Sequence, residues 1–278
     1  MTRPNLRFGV YLPPFGPLGE PGVLVDLARR AEAAGWDGVF LWDHVVTDQT
    51  PFVDTWTTLA AIAQATDRIL LGPMVTPLPR RRPQVVARQA STVSRLCGGR
   101  LVLGAGAGTD ETGDFSRFGD ETDARARSAM LDEGLEVVRG LWSGERLAYE
   151  GRHYKAAADA SRPEPHRIPV WIASSTNHPR VLRRAAAADG IFPNPDGREL
   201  GPDDVAGVVR GLRDAGLPAG RPFEVAVRGN ASPAWDEGKD VDLAGLAAAG
   251  VTWWMESLFW LDPLELSLAV VDAGPPRP

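Results

Sequence analysis

Short apolar segments alternate with amphipathic ones along the whole chain, and this alternation restricts the fold more than any other feature of the sequence. Apolar runs at 7–12, 38–42, 69–72, 101–103, 169–173, 190–192, 223–228 and 251–255 read as strands. Each is followed by a segment with helical spacing: 23–34, 54–66, one opened by Pro83, 122–142, 179–187, 203–215, 241–249 and 263–271. In the first of these, Val23, Leu24, Leu27, Ala28, Ala31 and Ala34 fall on one face, and Gly35 stops the helix. Eight such pairs predict an α/β protein, a closed (β/α)8 TIM barrel spanning residues 1–278 as one domain. A doubly wound open sheet fits less well, because Pro13-Pro14 follows the first strand where a G-x-G-x-x-G turn would stand. Residues 143–168 break the rhythm and predict a small hairpin or lid inserted after the fourth helix.

Charge and composition narrow the function. A net charge of −6 argues against nucleic acid as a partner. No apolar run is long enough to span a bilayer, and the N-terminus lacks a signal-peptide pattern. The single cysteine, Cys97, cannot form an intrachain disulfide, and a cytosolic location is expected. Basic residues are nearly all arginine. Lys155 and Lys239 are on no convincing strand, which disfavours Schiff-base chemistry. His153, His166 and His178 lack metal-ligand spacing, so no metal site is expected.

Residues 68–109 form the most site-like stretch. A strand is broken by Pro73-Met74-Val75-Thr76-Pro77, a helix follows, and the next strand runs into a glycine-rich loop at 104–108. Both breaks fall at strand C-termini, where α/β enzymes place their chemistry. Asp43 and His44 follow the second strand in the same way, and histidine titrates near neutrality. Ala173, Ser174, Ser175 and Thr176 precede a helix whose free amides favour an anion, with Thr176 or Asn177 as a plain N-cap alternative. The Arg80-Arg81-Arg82 run reads as a solvated surface turn. Trp253 and Glu256 in the last strand suggest either core or a substrate-pocket wall with one carboxylate.

Four stretches taken in order resemble the luciferase-like monooxygenase superfamily of barrel enzymes, which use FMN or the deazaflavin F420. They are Leu41 to His44, Leu71 to Thr76 with Arg80-x-x-Pro83, Gly99 to Gly108, and Ile168 to Ser175 leading to Gly190; Phe115 to Gly119 is a weaker fifth. The resemblance implies that His44 lies beside the cofactor ring and handles a proton, with Asp43 as an orienter or loop cap. It implies a non-prolyl cis peptide at Met74-Val75, with Pro73, Met74, Val75, Thr76, Gly106, Ala107 and Gly108 against the ring. It assigns 173–176 to the cofactor phosphate, and leaves open that the Arg80–Arg82 run meets the F420 polyglutamate tail. Thr109 stands where the F420-dependent sugar-phosphate dehydrogenases carry a glutamate, which makes a sugar phosphate doubtful and Thr109 a substrate contact. The implied activity is hydride transfer between F420 and a small organic substrate. The alternatives are an FMNH₂-dependent two-component monooxygenase with a separate reductase, and a non-catalytic flavin or F420 binder. A cofactor-free barrel isomerase is a further rival. The family also implies a homodimer.

Overall fold

In the computed structural model, which describes residues 6–46, 51–195, 198–235 and 241–276, the alternation becomes a ring of parallel strands with helices outside. The strands are β1 (Arg7–Leu12), β2 (Gly38–Leu41), β3 (Leu70–Pro73), β4 (Thr76–Pro77), β5 (Leu103–Gly106), β8 (Val170–Ser174), β9 (Gly190–Pro193), β10 (Glu224–Gly229) and β11 (Trp253–Ser257). A separate antiparallel hairpin pairs β6 (Leu147–Glu150) with β7 (Lys155–Ala158). The order in the large sheet is β3-β2-β1-β11-β10-β9-β8-β5-β4. β3 and β4 are two halves of one barrel position, parted by a cis peptide at Met74-Val75. The ring closes where Leu71 N donates to Arg100 O (3.1 Å) and Val102 N donates to Leu71 O (2.9 Å). The expected eight-position TIM barrel is therefore the observed one.

The helices are α1 (Pro21–Ala34), α2 (Thr55–Ala65), α3 (Pro83–Leu96), α4 (Ala124–Ser143), α5 (Pro179–Ala186), α6 (Pro202–Asp214), α7 (Leu243–Ala249) and α8 (Leu264–Asp272). Four begin with proline in the first turn, where the missing N–H costs nothing. Asp54, Asp123 and Asp242 cap α2, α4 and α7 through their side chains. Alternation along each strand sends one set of side chains to the helices and the other inward. In β11, Trp254 joins the layer under the helices, whereas Trp253 and Met255 join the barrel interior with Phe40, Trp171 and Tyr11. Phe40, Trp171 and Trp253 meet with ring centroids 5.5–5.7 Å apart and fill the lower barrel. Gly38 makes room for them, since a Cβ there would lie 2.5 Å from the Phe40 ring.

Three expectations shift. The glycine run after the fourth strand is itself strand from Leu103 to Gly106. Glycine is needed at 104 because a Cβ would lie 2.3 Å from Pro73 O across the barrel wall. The insertion takes the hairpin form, and Glu133 of α4 accepts the amides of Arg152, His153 and Tyr154, which fastens it along that helix. Lys155 does lie on a strand, in this hairpin, paired with Glu150 in solvent; Lys239 falls outside the described residues. Among the described residues no helix is long and apolar enough to cross a membrane.

Barrel closure yields a prediction. A Cβ on Gly72 would sit 2.0 Å from Val102 O, a backbone atom that cannot move away alone. Gly72→Ala is expected to lose about 1–3 kcal/mol in urea unfolding, as overpacking typically does. Unchanged stability would show that the β3–β5 seam is looser than described.

Candidate active site

A cavity of about 950 Å³ opens at the C-terminal ends of the strands, the face where barrels of this kind carry their sites. Its floor is set by Tyr11, which packs on Phe192 and Trp42 (centroids 5.4 and 5.3 Å) above the aromatic plug. One wall is the strip from Gly106 to Thr109 with Val75. A Cβ on Gly106 would meet the Val75 side chain at 2.9 Å, so only glycine keeps this wall flat. Gly108 has φ +72°, and a Cβ there would meet the Phe115 ring at 2.8 Å. Next to the strip, at the end of the neighbouring β8, the 174–176 turn is held by mutual hydrogen bonds, Ser174 Oγ donating to Thr176 O and Thr176 N donating to Ser174 Oγ.

His44 reaches the cavity from the end of β2, and its Nδ1 lies 2.5 Å from Asp114 Oδ2. The second oxygen of Asp114 accepts the amides of Val45 (2.9 Å) and Val46 (3.1 Å), and Thr112 Oγ1 donates to the first (3.1 Å). Arg80 Nη1 approaches Asp114 Oδ1 at 3.3 Å and its Nη2 binds Asp43 Oδ1 at 3.0 Å. Arg81 completes a two-pronged pair on Asp43 (Nε–Oδ2 3.0 Å, Nη2–Oδ1 2.6 Å), and Thr76 Oγ1 donates to Asp43 Oδ2 (2.8 Å). Burial pushes the Asp114 carboxyl up, but the His44 hydrogen bond, the Val45 amide, and the His44 and Arg80 charges outweigh it and hold it well below the usual carboxylate range.

Most residues singled out in the sequence converge here, with definite exceptions. Asp43, His44, Met74, Val75, Gly106, Ala107, Gly108, Thr109, Ala173, Ser174, Ser175 and Thr176 all line the cavity. Pro73 and Thr76 are buried in the wall behind it, Thr76 being occupied by Asp43 and by Trp56 Nε1. Trp253 lies deeper, in the plug. Glu256 points out of the barrel, where it accepts Trp254 Nε1, Trp235 Nε1 and the amides of Ala231 and Ser232; it ties the loop after β10 to β11 and does not reach the cavity. The arginine run is not a solvated turn either: the Arg80 side chain is 3% exposed and Arg81 16%, because Asp43 draws both inward. The α5 cap is His178, whose Nδ1 accepts Arg180 N, in place of Thr176 or Asn177. Among the described residues no His, Cys, Asp and Glu cluster could hold a metal.

The family model described as luciferase-like monooxygenase matches residues 6–253. The chain belongs to the luciferase-like monooxygenase family. It is 37% identical over 202 residues to a protein named F420-dependent glucose-6-phosphate dehydrogenase from Intrasporangium calvum, an alignment covering 68% of this chain and 59% of that one. The chain thus spans less than two thirds of the length of this relative. Two solved structures share the fold. An F420-dependent secondary alcohol dehydrogenase in complex with an F420-acetone adduct superposes with TM-score 0.75 at 16% identity, covering 97% of this chain and 99% of that one. The monooxygenase RslO1 from Streptomyces bottropensis gives 0.73 at 22% identity, covering 96% of each.

Within this family member, several cavity residues escaped the sequence reading, Asp114, Tyr11 and Arg228 among them. Asp114 lies among several acidic residues in a loop that offers no periodicity, so nothing marked it out. Tyr11 and Arg228 were within reach, because each stands near a strand C-terminus at a position facing the interior. The Asp114 carboxylate gives a test with a defined sign. Its folded pKa lies below the ordinary 3.8, so its stabilisation is fully present above about pH 4 and is lost as pH falls through the folded value. In urea unfolding, the stability gap between the wild type and Asp114→Asn is expected to shrink as pH falls below about 4. A gap that holds unchanged into strong acid would contradict this placement of the charge.

Proposed function

We propose that the protein is an F420-dependent oxidoreductase that exchanges a hydride with a small organic substrate in the barrel-mouth cavity. The observation that carries the reading is His44, held at the cavity by Asp114 beside a flat wall that only glycine permits. The donor set suits a planar, weakly polar ring: the Gly106–Gly108 backbone and Val75 supply a smooth face, and beside it Trp42 Nε1 is a buried donor with no partner among the described residues. The 174–176 turn, with Arg184 lining the cavity beyond it, would hold the cofactor phosphate. The F420-dependent relatives support this cofactor over FMN. When bound, F420 supplies the hydride acceptor or donor.

This chain's own contribution is orientation and proton handling. When the His44 ring carries a single proton, the Asp114 carboxylate holds it on Nδ1, which leaves Nε2 as an acceptor for a substrate hydroxyl. As a hydroxyl carbon gives up its hydride, His44 takes the hydroxyl proton; in the reverse direction it returns that proton to the carbonyl oxygen. Asp43 does not touch the reacting atoms. It holds Arg80, which in turn braces Asp114, so its role is positional. The aromatic floor and walls exclude water from the reacting atoms. Thr109 lines the cavity wall, and the resemblance, which implies a glutamate at this place in sugar-phosphate dehydrogenases, speaks against a sugar phosphate here. The cytosol, where Cys97 stays reduced and a second F420-using enzyme can recycle the cofactor, is the fitting setting.

Titration with F420, FMN and FMNH₂ followed by fluorescence is expected to show binding of F420. His44→Ala is expected to retain that binding while turnover on a panel of secondary alcohols and aldoses falls by about 10²–10⁴, the usual worth of a positioned acid–base. Failure to bind any of the three ends the reading. Unchanged turnover in His44→Ala would remove the histidine from the chemistry.

A further inference from the structure

The cavity has a second half that the cofactor reading leaves free. β10 lies four places from the β3–β4 position in either direction around the ring, directly across the mouth from Val75. On β10, Ala226 faces the interior, and alternation turns Arg228 to the same side one layer higher, where it lines the cavity. Arg228 is half-buried. Its Nε donates to the neutral amide oxygen of Asn194, Oδ1, at 2.5 Å. Its charge acts on the buried Tyr11 hydroxyl, against the rise that burial imposes there. A half-buried guanidinium that lines a cavity and leans on a neutral amide has given up part of its hydration and is placed to receive an anion. That arrangement suits a site whose counter-ion arrives with a ligand.

The surroundings of this cation are aromatic. Trp42 packs on Tyr11 (5.3 Å) and on Trp260 (5.6 Å), and Phe15 on Trp260 (5.8 Å). All four rings line the cavity. A hexose would need hydroxyl-binding side chains along this wall, and a phosphate dianion would draw on more than one cation. Among the described residues the wall instead offers ring faces and the Arg228 guanidinium, whose fork matches a carboxylate.

We propose that Arg228 anchors the carboxylate of a substrate whose body is a planar or alicyclic apolar ring packed on Tyr11, Phe15 and Trp260. This rests on the reading above for which wall the cofactor occupies, and it gives that reading a substrate class. The anchor fixes the substrate across the mouth from the flat wall, with the group to be oxidised or reduced turned toward His44.

The test uses the full chain, with calorimetric titration of benzoate, benzamide and glucose 6-phosphate, and F420 titration by fluorescence on the same samples. Wild type is expected to prefer benzoate over the isosteric neutral benzamide by roughly tenfold or more, the worth of a charged hydrogen bond. Arg228→Gln is expected to abolish that preference and leave F420 affinity unchanged, and Arg228→Lys to restore part of it. The unchanged F420 affinity also reports that the variant is folded. The proposal is overturned if a protein that binds F420 shows no preference for benzoate, if the preference survives Arg228→Gln, or if glucose 6-phosphate is the ligand that binds through Arg228. Failure of the wild type to bind F420 would instead count against the cofactor reading, separately from the benzoate result.

Discussion

The mouth of this barrel depends on a buried chain of charges, Arg81–Asp43–Arg80–Asp114, that ends on His44. Asp43 comes from the loop after β2, the arginines from the segment after β4, and Asp114 from the loop after β5, so three loops are tied at one point. Buried ion pairs of this kind add little net stability, since desolvation offsets the attraction, but breaking one strands a charge and is costly. Their effect is to fix geometry. Asp114 cannot turn away from His44 without also releasing the amides of Val45 and Val46. The loop that carries the histidine and the carboxylate that orients it are therefore one rigid unit.

Below this unit, packing decides how deep the cavity runs. Phe40, Trp171 and Trp253 fill the lower barrel, and Tyr11 and Phe192 lie over them. A ligand can reach the strand ends but cannot enter the barrel. Glycines at 104 and 106 bring β5 against the Val75 bulge, and the flat wall follows from that contact. The same residues thus serve closure of the barrel and the shape of the site.

The fold was legible in the sequence because it rests on periodicity. Eight apolar runs and eight amphipathic helices leave few ways to bury both sets of faces. The strand ends were legible too, which is why His44, Val75, the glycine strip and Ser174 were found. What could not be read was direction and partnership. Glu256 stands one residue from an inward position, and a shift of one along β11 turns it from the cavity to the Trp235 indole. The Arg80–Arg82 run looked solvated because its counter-ion, Asp43, lies far off in sequence. Asp114 had no local pattern at all, and only the closing of the ring brings it to His44.

The most direct measurement of the central claim is a crystal structure of the protein with F420 bound. The account predicts the deazaflavin ring against Val75 and Gly106, its phosphate at the Ser174–Thr176 turn, and His44 with its Asp114 bond intact beside the reacting face. A ring seated elsewhere, or a His44 turned away from it, would contradict the account.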